Sequence, residues 1–191
     1  MDKKEIIDKI KNEKVGVLGT DTLYGLVALA SSRASVEYVY DLKKRDRQKP
    51  FIVLISKFDD IFSFGVEIDG GIKSFLKKIW PGKISVILPC DDDKLFYIHR
   101  GKKSIAFRVP DKKSLRDIID ETGPIVAPSA NLEGSLPAKN IKEAKEYFGS
   151  KIDFYNDEGT LSSKPSTLIK VEDNKINVLR RGEVNIKKNV N

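Results

Sequence analysis

Short apolar runs alternate with amphipathic helical patterns along most of this chain, and the alternation limits its fold more than any other feature of the sequence. The runs with the length of buried strands lie at 15–19, 51–55, 84–88, 104–109 and 125–127. Further strand patterns close the chain at 152–155, 167–171 and 176–180. Because the closing elements are mainly strands, the sequence predicts an α/β fold, with a mixed β-sheet and flanking helices in a single domain over residues 1–191.

Helical patterns, in which apolar residues repeat every three or four positions, lie between these runs. They cover residues 2–12, 33–44, 71–80, 111–123 and 140–149. Ser32 or Ser35 is available to cap the second helix, and Asn140 with Glu143 forms a cap for the last one. The pattern does not assign a regular element to residues 24–29, which are small and apolar around Gly25.

Charge and cysteine content limit the classes of function. The formal net charge of +7 favours polyanionic partners such as nucleotide phosphates or RNA. The chain has a single cysteine, Cys90, so it cannot form an intramolecular disulfide. One cysteine and one histidine are also too few ligands for the usual zinc sites. We therefore expect no metal held by protein ligands, and Mg²⁺ only with a nucleotide. Without a long apolar run or an apolar leader, the sequence predicts a cytoplasmic protein with no membrane contact.

Several common catalytic motifs are missing. The nearest approach to a P-loop, from Gly65 to Gly70, lacks the phosphate-binding lysine, and no G-x-G-x-x-G follows a strand. His99 lies in a polar turn, where we predict a surface side chain, and no G-x-S-x-G serine accompanies it. Ser74 and Lys77 match S-x-x-K, but packing already explains that helix and no K-T-G is present. The sequence therefore disfavours serine, cysteine and P-loop enzymes.

Cations and hydroxyls lie at the ends of the predicted elements instead. The turn Thr20-Asp21-Thr22 follows the first strand and suits either a small polar ligand or an ordinary strand turn. The remaining cations and polar side chains lie at other predicted strands. Arg45 and Lys49 precede the strand at 51–55, Ser85 lies within 84–88, and Arg108 lies near the end of 104–109. Ser129 and Asn131 follow the strand at 125–127, Ser166 and Thr167 open 167–171, and Arg180 closes 176–180. Without a nucleophile or a histidine base, this set suits phosphate chemistry, in which the protein orients substrates and neutralises charge.

These segments resemble, in order, the signatures of the YrdC-like family. They are Thr20–Leu26 for T-[DE]-T-x-Y-G-L, Lys43–Pro50 for K-x-R-x-x-x-K-P, Pro81–Ser85 for P-G-x-x-T, Arg108–Pro110 for R-x-P, Ser129–Gly134 for S-A-N-x-S-G, Ser166-Thr167 for S-T and Leu179–Gly182 for L-R-x-G. Ser85 stands where threonine is usual, and Glu133 stands where serine is usual. The resemblance covers nearly the whole chain.

The resemblance implies a fold, an activity and partners. The implied fold is a YrdC/RibB-like twisted mixed sheet around a basic concave groove. The implied enzyme is a nucleotidyltransferase that joins L-threonine, bicarbonate and ATP into threonylcarbamoyl-adenylate and pyrophosphate. A downstream transferase complex then modifies the adenosine at position 37 of tRNAs that read codons beginning with A, and tRNA itself is a candidate partner.

The resemblance also implies roles for individual residues. Threonine would be held by Thr22, Ser166, Arg108 and the Ala127 backbone. ATP would be held by Arg45, Lys49, Ser85, Ser129, Asn131 and Arg180, and Arg45 and Lys49 would act in catalysis with Mg²⁺ by offsetting the developing negative charge.

Two other functions remain open from the sequence. One is a non-catalytic module that binds double-stranded RNA or tRNA, supported by the net charge and the cations around Arg45. The other is a carbamoyl-adenylate domain that uses another amine or carbamoyl phosphate, as in hydrogenase maturation factors, where a similar domain belongs to a much longer chain.

Overall fold

A mixed β-sheet is the centre of the computed structural model, which describes residues 1–172 and 175–186 and contains nine strands within them. The strands are β1 (Gly16–Gly19), β2 (Tyr24–Leu29), β3 (Ile52–Leu54), β4 (Ile84–Pro89), β5 (Ser104–Arg108), β6 (Ile125–Val126), β7 (Phe154–Tyr155), β8 (Thr167–Glu172) and β9 (Lys175–Arg180). Their order across the sheet is β7-β1-β2-β6-β3-β5-β4-β8-β9. The β1/β7, β3/β5 and β4/β8 pairs are parallel and the others antiparallel, which confirms the predicted mixed sheet.

Helices flank this sheet. They are α1 (Lys3–Lys11), α2 (Arg33–Lys43), α3 (Gly70–Ile79), α4 (Phe96–His99), α5 (Lys113–Thr122) and α6 (Ile141–Phe148). All of these helices in the described residues except the short α4 lie at the predicted places. The Ser32 side chain caps α2, and the Asn140 side chain accepts the Glu143 backbone N–H at the start of α6. None of the helices in the described part of the chain is long and apolar enough to cross a bilayer.

The two faces of the sheet are covered differently. On one face, strand residues such as Val53, Val86 and Phe107 join the larger core with α2, α3 and α6. On the other face, α1 and α5 cover only the part near β1, β2, β6 and β3, where Leu18 and Leu54 are buried. Because side chains alternate along a strand, the rest of this second face is formed by Ile52, Ile87, Ala106 and Leu168, which line an open groove.

Two local expectations were wrong. The 24–29 segment is the strand β2, which lies in the sheet between β1 and β6. Gly25 hid this strand in the sequence, but its missing side chain allows close approach, since a Cβ there would lie 3.3 Å from the Pro128 carbonyl oxygen. His99 is 2% exposed rather than a surface residue. Its Nδ1 accepts the Gly101 N–H, and its Nε2 lies 3.2 Å from the Asp92 carbonyl oxygen.

Candidate active site

The groove over β3, β5, β4 and β8 is a cavity of about 300 Å³, a size found for small-molecule sites. Ser104, Ala106 and Arg108 all line it, so it follows β5 for most of its length. Most of the predicted site residues share it, namely Thr22, Arg45, Arg108, Ala127, Ser129, Ser166 and Arg180. Lys49, Ser85 and Asn131 lie outside its lining. Its charged lining residues are Arg45, Lys102, Arg108 and Arg180, with no carboxylate among the described residues, so the groove is basic.

Thr22 reaches the groove from the turn between β1 and β2. The Thr20 hydroxyl organises this turn: it donates to the Leu23 carbonyl at 2.7 Å and accepts the backbone N–H groups of Thr22 at 3.1 Å and Leu23 at 3.2 Å. The Thr22 Oγ1 lies 3.1 Å from the Thr20 Oγ1 and is buried. The turn therefore holds a hydroxyl at a fixed place in the groove wall.

Arg108 lies beside that hydroxyl at the end of β5. Its Nη2 is 3.0 Å from the Asp21 Oδ1, and its Nη1 donates to the Thr22 Oγ1 at 3.4 Å. Burial lowers the pKa of Arg108, the Asp21 carboxylate opposes this change, and Arg180 adds to the lowering. The buried Nε of Arg108 has no hydrogen-bond partner among the described residues. An acceptor on a ligand would satisfy this donor.

Ser166 and Arg180 form the opposite wall. The Arg180 Nη2 donates to the Ser166 carbonyl at 2.9 Å and to the Ser166 hydroxyl at 3.1 Å. The Ser85 Oγ lies 2.9 Å from the Ser166 Oγ and is fully buried behind it. Burial lowers the pKa of Arg180, and Arg45 lowers it further. Ser85 is thus placed to orient the Ser166 hydroxyl.

Lys43 supports the loop that carries Ser129. No role was assigned to this lysine from the sequence, although it is the first residue of the K-x-R-x-x-x-K-P segment. Its ammonium donates to the carbonyl oxygens of Ser129 at 2.6 Å and Asn131 at 2.7 Å, and to the Asn131 Oδ1 at 3.1 Å. Burial lowers the pKa of Lys43 to about 7, with a smaller lowering from Arg45 and an opposing effect from Glu133. The lysine is 2% exposed and does not belong to the groove lining.

Asn131 stabilises the same loop. Its Oδ1 accepts the Ser129 hydroxyl at 2.7 Å, and its Nδ2 donates to the carbonyl oxygens of Leu132 at 2.9 Å and Ser135 at 2.7 Å. Every polar atom of this side chain therefore has a partner within the protein. The arrangement leaves Ser129, rather than Asn131, at the groove surface.

The segment after α2 brings Arg45 to the groove. Its Nε donates to the Lys49 carbonyl at 3.1 Å and its Nη2 to the Pro50 carbonyl at 3.4 Å. The Lys49 ammonium instead donates to the Glu133 Oε1 at 2.7 Å, and the Glu133 Oε2 accepts the Asp46 backbone N–H at 2.7 Å. Lys49 and Asp46 hold the pKa of the Glu133 carboxyl below its usual value. Glu133 therefore joins the basic segment to the Ser129 loop.

The donor set of the groove does not fit a metal held by protein ligands. Among residues 1–172 and 175–186, no cluster of three or more histidine, cysteine or acidic residues could hold a metal ion. The buried Asp21 carboxylate faces Arg108 and accepts the Asp111 N–H at 3.0 Å. Divalent cations prefer carboxylate oxygens, and the described lining residues of the groove offer none.

Comparison with known proteins decides the family. The model of the Sua5/YciO/YrdC family, which carries the description "Telomere recombination", matches residues 8–182. The chain belongs to the Sua5/YciO/YrdC family. The YrdC-like resemblance of its sequence segments is thereby confirmed.

Members of the family extend the comparison. A protein of Wigglesworthia glossinidia brevipalpis named threonylcarbamoyl-AMP synthase is 34% identical over 152 residues, which are 78% of this chain and 78% of the relative. A protein of Methanocaldococcus jannaschii, whose name provisionally assigns it the same activity, is 31% identical over 195 residues, covering 98% of this chain and 90% of the relative. P. abyssi Sua5 complexed with L-threonine matches 94% of this chain with a TM-score of 0.87 and 27% identity, and the match covers 54% of that chain.

Proposed function

We propose that this member of the Sua5/YciO/YrdC family is a threonylcarbamoyl-AMP synthase, a nucleotidyltransferase that makes threonylcarbamoyl-adenylate and pyrophosphate from L-threonine, bicarbonate and ATP. One observation carries the proposal. A single groove combines buried hydroxyls with arginines and contains no carboxylate among its described lining residues. Such a site suits a reaction in which anionic substrates react with each other. The names of the relatives support the same activity.

We assign L-threonine to the end of the groove at Thr22 and Arg108. The buried Thr22 hydroxyl and the Arg108 Nε suit the polar groups of an amino acid. Ser166 and Ala127 line the same groove, and we assign them the remaining contacts, Ala127 through its backbone. The structure of P. abyssi Sua5 in complex with L-threonine supports an amino-acid site in this fold.

We assign ATP to the cations and hydroxyls that remain, with Arg45, Ser129 and Arg180 in contact with it. The neutral threonine amine would condense with bicarbonate, forming the N–C bond of a carbamate and releasing water. A carbamate oxygen would then attack the α-phosphorus, and the bond from that phosphorus to the bridging oxygen of the β-phosphate would break to release pyrophosphate. Arg45 and Arg180 would neutralise the negative charge that develops. ATP would enter as its Mg²⁺ complex, in which the cation screens the phosphates.

The remaining predicted residues have supporting places. Ser85 would act through Ser166, and Asn131 would act through Ser129, because each is hydrogen-bonded to that lining residue. Lys49 would reach ATP only by leaving Glu133. We retain Lys49 in catalysis as a prediction, together with a cytoplasmic location, a downstream transferase complex and direct tRNA binding.

The test is pyrophosphate release from Mg²⁺-ATP by the purified chain, with L-threonine and bicarbonate each added or omitted. We expect release only when both are present, and much slower release when L-serine replaces L-threonine. Carbamoyl phosphate in place of bicarbonate tests the hydrogenase-maturation type of reaction. Folded protein that binds RNA but gives no threonine-dependent release would overturn the synthase assignment in favour of an RNA-binding module.

A further inference from the structure

Lys102 is the one cation among the described lining residues of the groove to which the sequence assigned no role. It lies in the turn between α4 and β5, where its backbone N–H donates to the His99 carbonyl at 2.9 Å. Arg100, Gly101 and Lys103 have positive φ angles of 52°, 75° and 51°, a conformation that is uncommon outside glycine. The backbone of this turn brings Lys102 to the groove.

The two residues Arg100 and His99, which precede Lys102 in the chain, hold this turn in place through buried contacts. Arg100 has a side chain only 8% exposed, its guanidinium carbon lies 4.1 Å from the centre of the Tyr40 ring, and its Nη1 donates to the Glu37 Oε1 at 2.7 Å. His99 is buried with both ring nitrogens next to backbone partners. A fixed backbone therefore presents a long and exposed side chain at Lys102.

The other cations near the groove already have partners. Arg108 faces Asp21, Arg180 donates to Ser166, and Arg45 donates to two backbone carbonyls. Within residues 1–172 and 175–186, the Lys102 ammonium has no ion pair or hydrogen bond. An anion at Lys102 would gain an attraction without breaking an existing ion pair, whereas an anion at Lys49 would compete with Glu133.

Lys102 and Arg45 flank the same end of the groove. The parallel pairing of β3 and β5 aligns Ile52 with Ala106, and this register, continued two residues back, would set Pro50 beside Ser104. Both Pro50 and Ser104 line the groove. Arg45 is bonded to the Pro50 carbonyl, and Lys102 precedes Ser104 by two positions. At about 3.3 Å per residue, this end is roughly 13 Å along β5 from Arg108.

We propose that Lys102 binds the β- and γ-phosphates of ATP and therefore the departing pyrophosphate. The inference rests on the proposed synthase function. An in-line displacement places the leaving group on the side of the α-phosphorus opposite the attacking oxygen. With threonine at the Arg108 end, pyrophosphate therefore points to the end where Lys102 and Arg45 lie. A lysine is a mobile point charge, which suits a group that must bind and then release a product.

The test measures equilibrium binding of ATP, inorganic pyrophosphate, AMP and L-threonine to the full chain by titration calorimetry. In K102M we expect at least about tenfold weaker binding of pyrophosphate and ATP, the effect of losing a charge-assisted contact. Binding of AMP and L-threonine should remain as in the wild type. K102R should keep most of the affinity. K103M is the matched control, because Lys103 is adjacent and bonded to Asp91 outside the groove lining.

Three results would overturn the role of Lys102: wild-type pyrophosphate binding by K102M, an equal loss for AMP, or an equal loss in K103M. The last result would indicate a general effect of net charge. Threonine- and bicarbonate-dependent pyrophosphate release by the wild type tests the synthase function separately. Its absence would overturn the function, whereas normal release combined with wild-type pyrophosphate binding by K102M would overturn the role of Lys102 alone.

Discussion

Thr22 offers the most direct check on which end of the groove holds threonine. Thr22→Ala removes one hydroxyl, and losing one hydrogen bond costs on the order of 1 kcal/mol. We therefore expect the KM for L-threonine to rise about five- to tenfold, while the KM for ATP stays the same. Thr22→Ser keeps the hydroxyl and should stay close to the wild type. Pyrophosphate release at varied threonine and ATP measures both constants, and a rise for ATP alone would contradict the assignment.

Lys43 gives a prediction about pH. Burial lowers its pKa in the folded chain to about 7 from 10.5. Between these two values the unfolded chain binds more protons than the folded chain, so this lysine makes the free energy of unfolding increase as the pH rises. Below pH 7 both states bind the proton, and the cost of burying the charge is largest.

The comparison that isolates this effect is the wild type against Lys43→Met in urea unfolding at pH 6.5, 8 and 9.5. Titrations elsewhere in the chain are common to both proteins. Relative to the variant, the wild type should gain up to about 3 kcal/mol between pH 6.5 and 9.5. A stability difference that does not change with pH would show that Lys43 keeps the same protonation state throughout.

The segment after β9 packs against the start of β8 at Gly182. A Cβ at this position would lie 2.1 Å from the Pro165 carbonyl oxygen and 2.5 Å from the Ser166 carbonyl carbon. Gly182→Ala must therefore displace backbone next to Ser166, and we expect a loss of about 1–3 kcal/mol in the free energy of unfolding. Activity should fall as well, because Ser166 and Arg180 are bonded to each other.

Gly70→Ala is the matched control for this substitution. Gly70 is the first residue of α3, and a Cβ there has no neighbour within 4 Å. Alanine at an unstrained helical position leaves stability equal or slightly higher. Urea unfolding of both variants measures the difference, and equal stabilities would mean that the Gly182 segment moves away at little cost.

Helix α2 connects the two segments that bring cations to one end of the groove. The Glu37 carboxylate pairs with Arg47, in the segment that carries Arg45, and with Arg100, in the turn that carries Lys102. Burial raises the pKa of the Glu37 carboxyl, but the hydrogen bond from Arg100 and the charges of Arg100 and Arg47 together outweigh it and hold the pKa below its usual value. One partly buried carboxylate on α2 therefore links two loops that are distant in the sequence.

The fold was largely predictable because its elements are defined by local patterns. The apolar runs that became β1, β3, β4 and β5, and the caps at Ser32 and Asn140, are visible within a few residues. Strand β2 was missed because its apolar residues are small and include Gly25, whose role depends on the distant Pro128 backbone. His99 was misplaced because a polar turn does not reveal that the chain packs over it.

The sequence could predict the role of a groove residue when that role depends on the residue's own segment. It could not predict a role that depends on contact with a distant segment of the chain. The motif residues identified the segments that meet at the groove, but the Lys49 pair with Glu133 joins positions 84 residues apart. The Ser85 contact with Ser166 joins positions 81 residues apart. Lys102 belongs to no motif and reaches the groove only through the turn after α4. Such contacts depend on the sheet order, which local patterns do not determine.

The open half of the sheet has a consequence for how the gene can change. Along β5, Phe107 fills the core on one face while Ala106 floors the groove on the other. Inserting or deleting one codon within this strand would exchange the two faces, placing a bulky ring among the substrates and a small methyl in the core. Natural variation in β5 should therefore consist of substitutions, with changes in length confined to the adjoining turns.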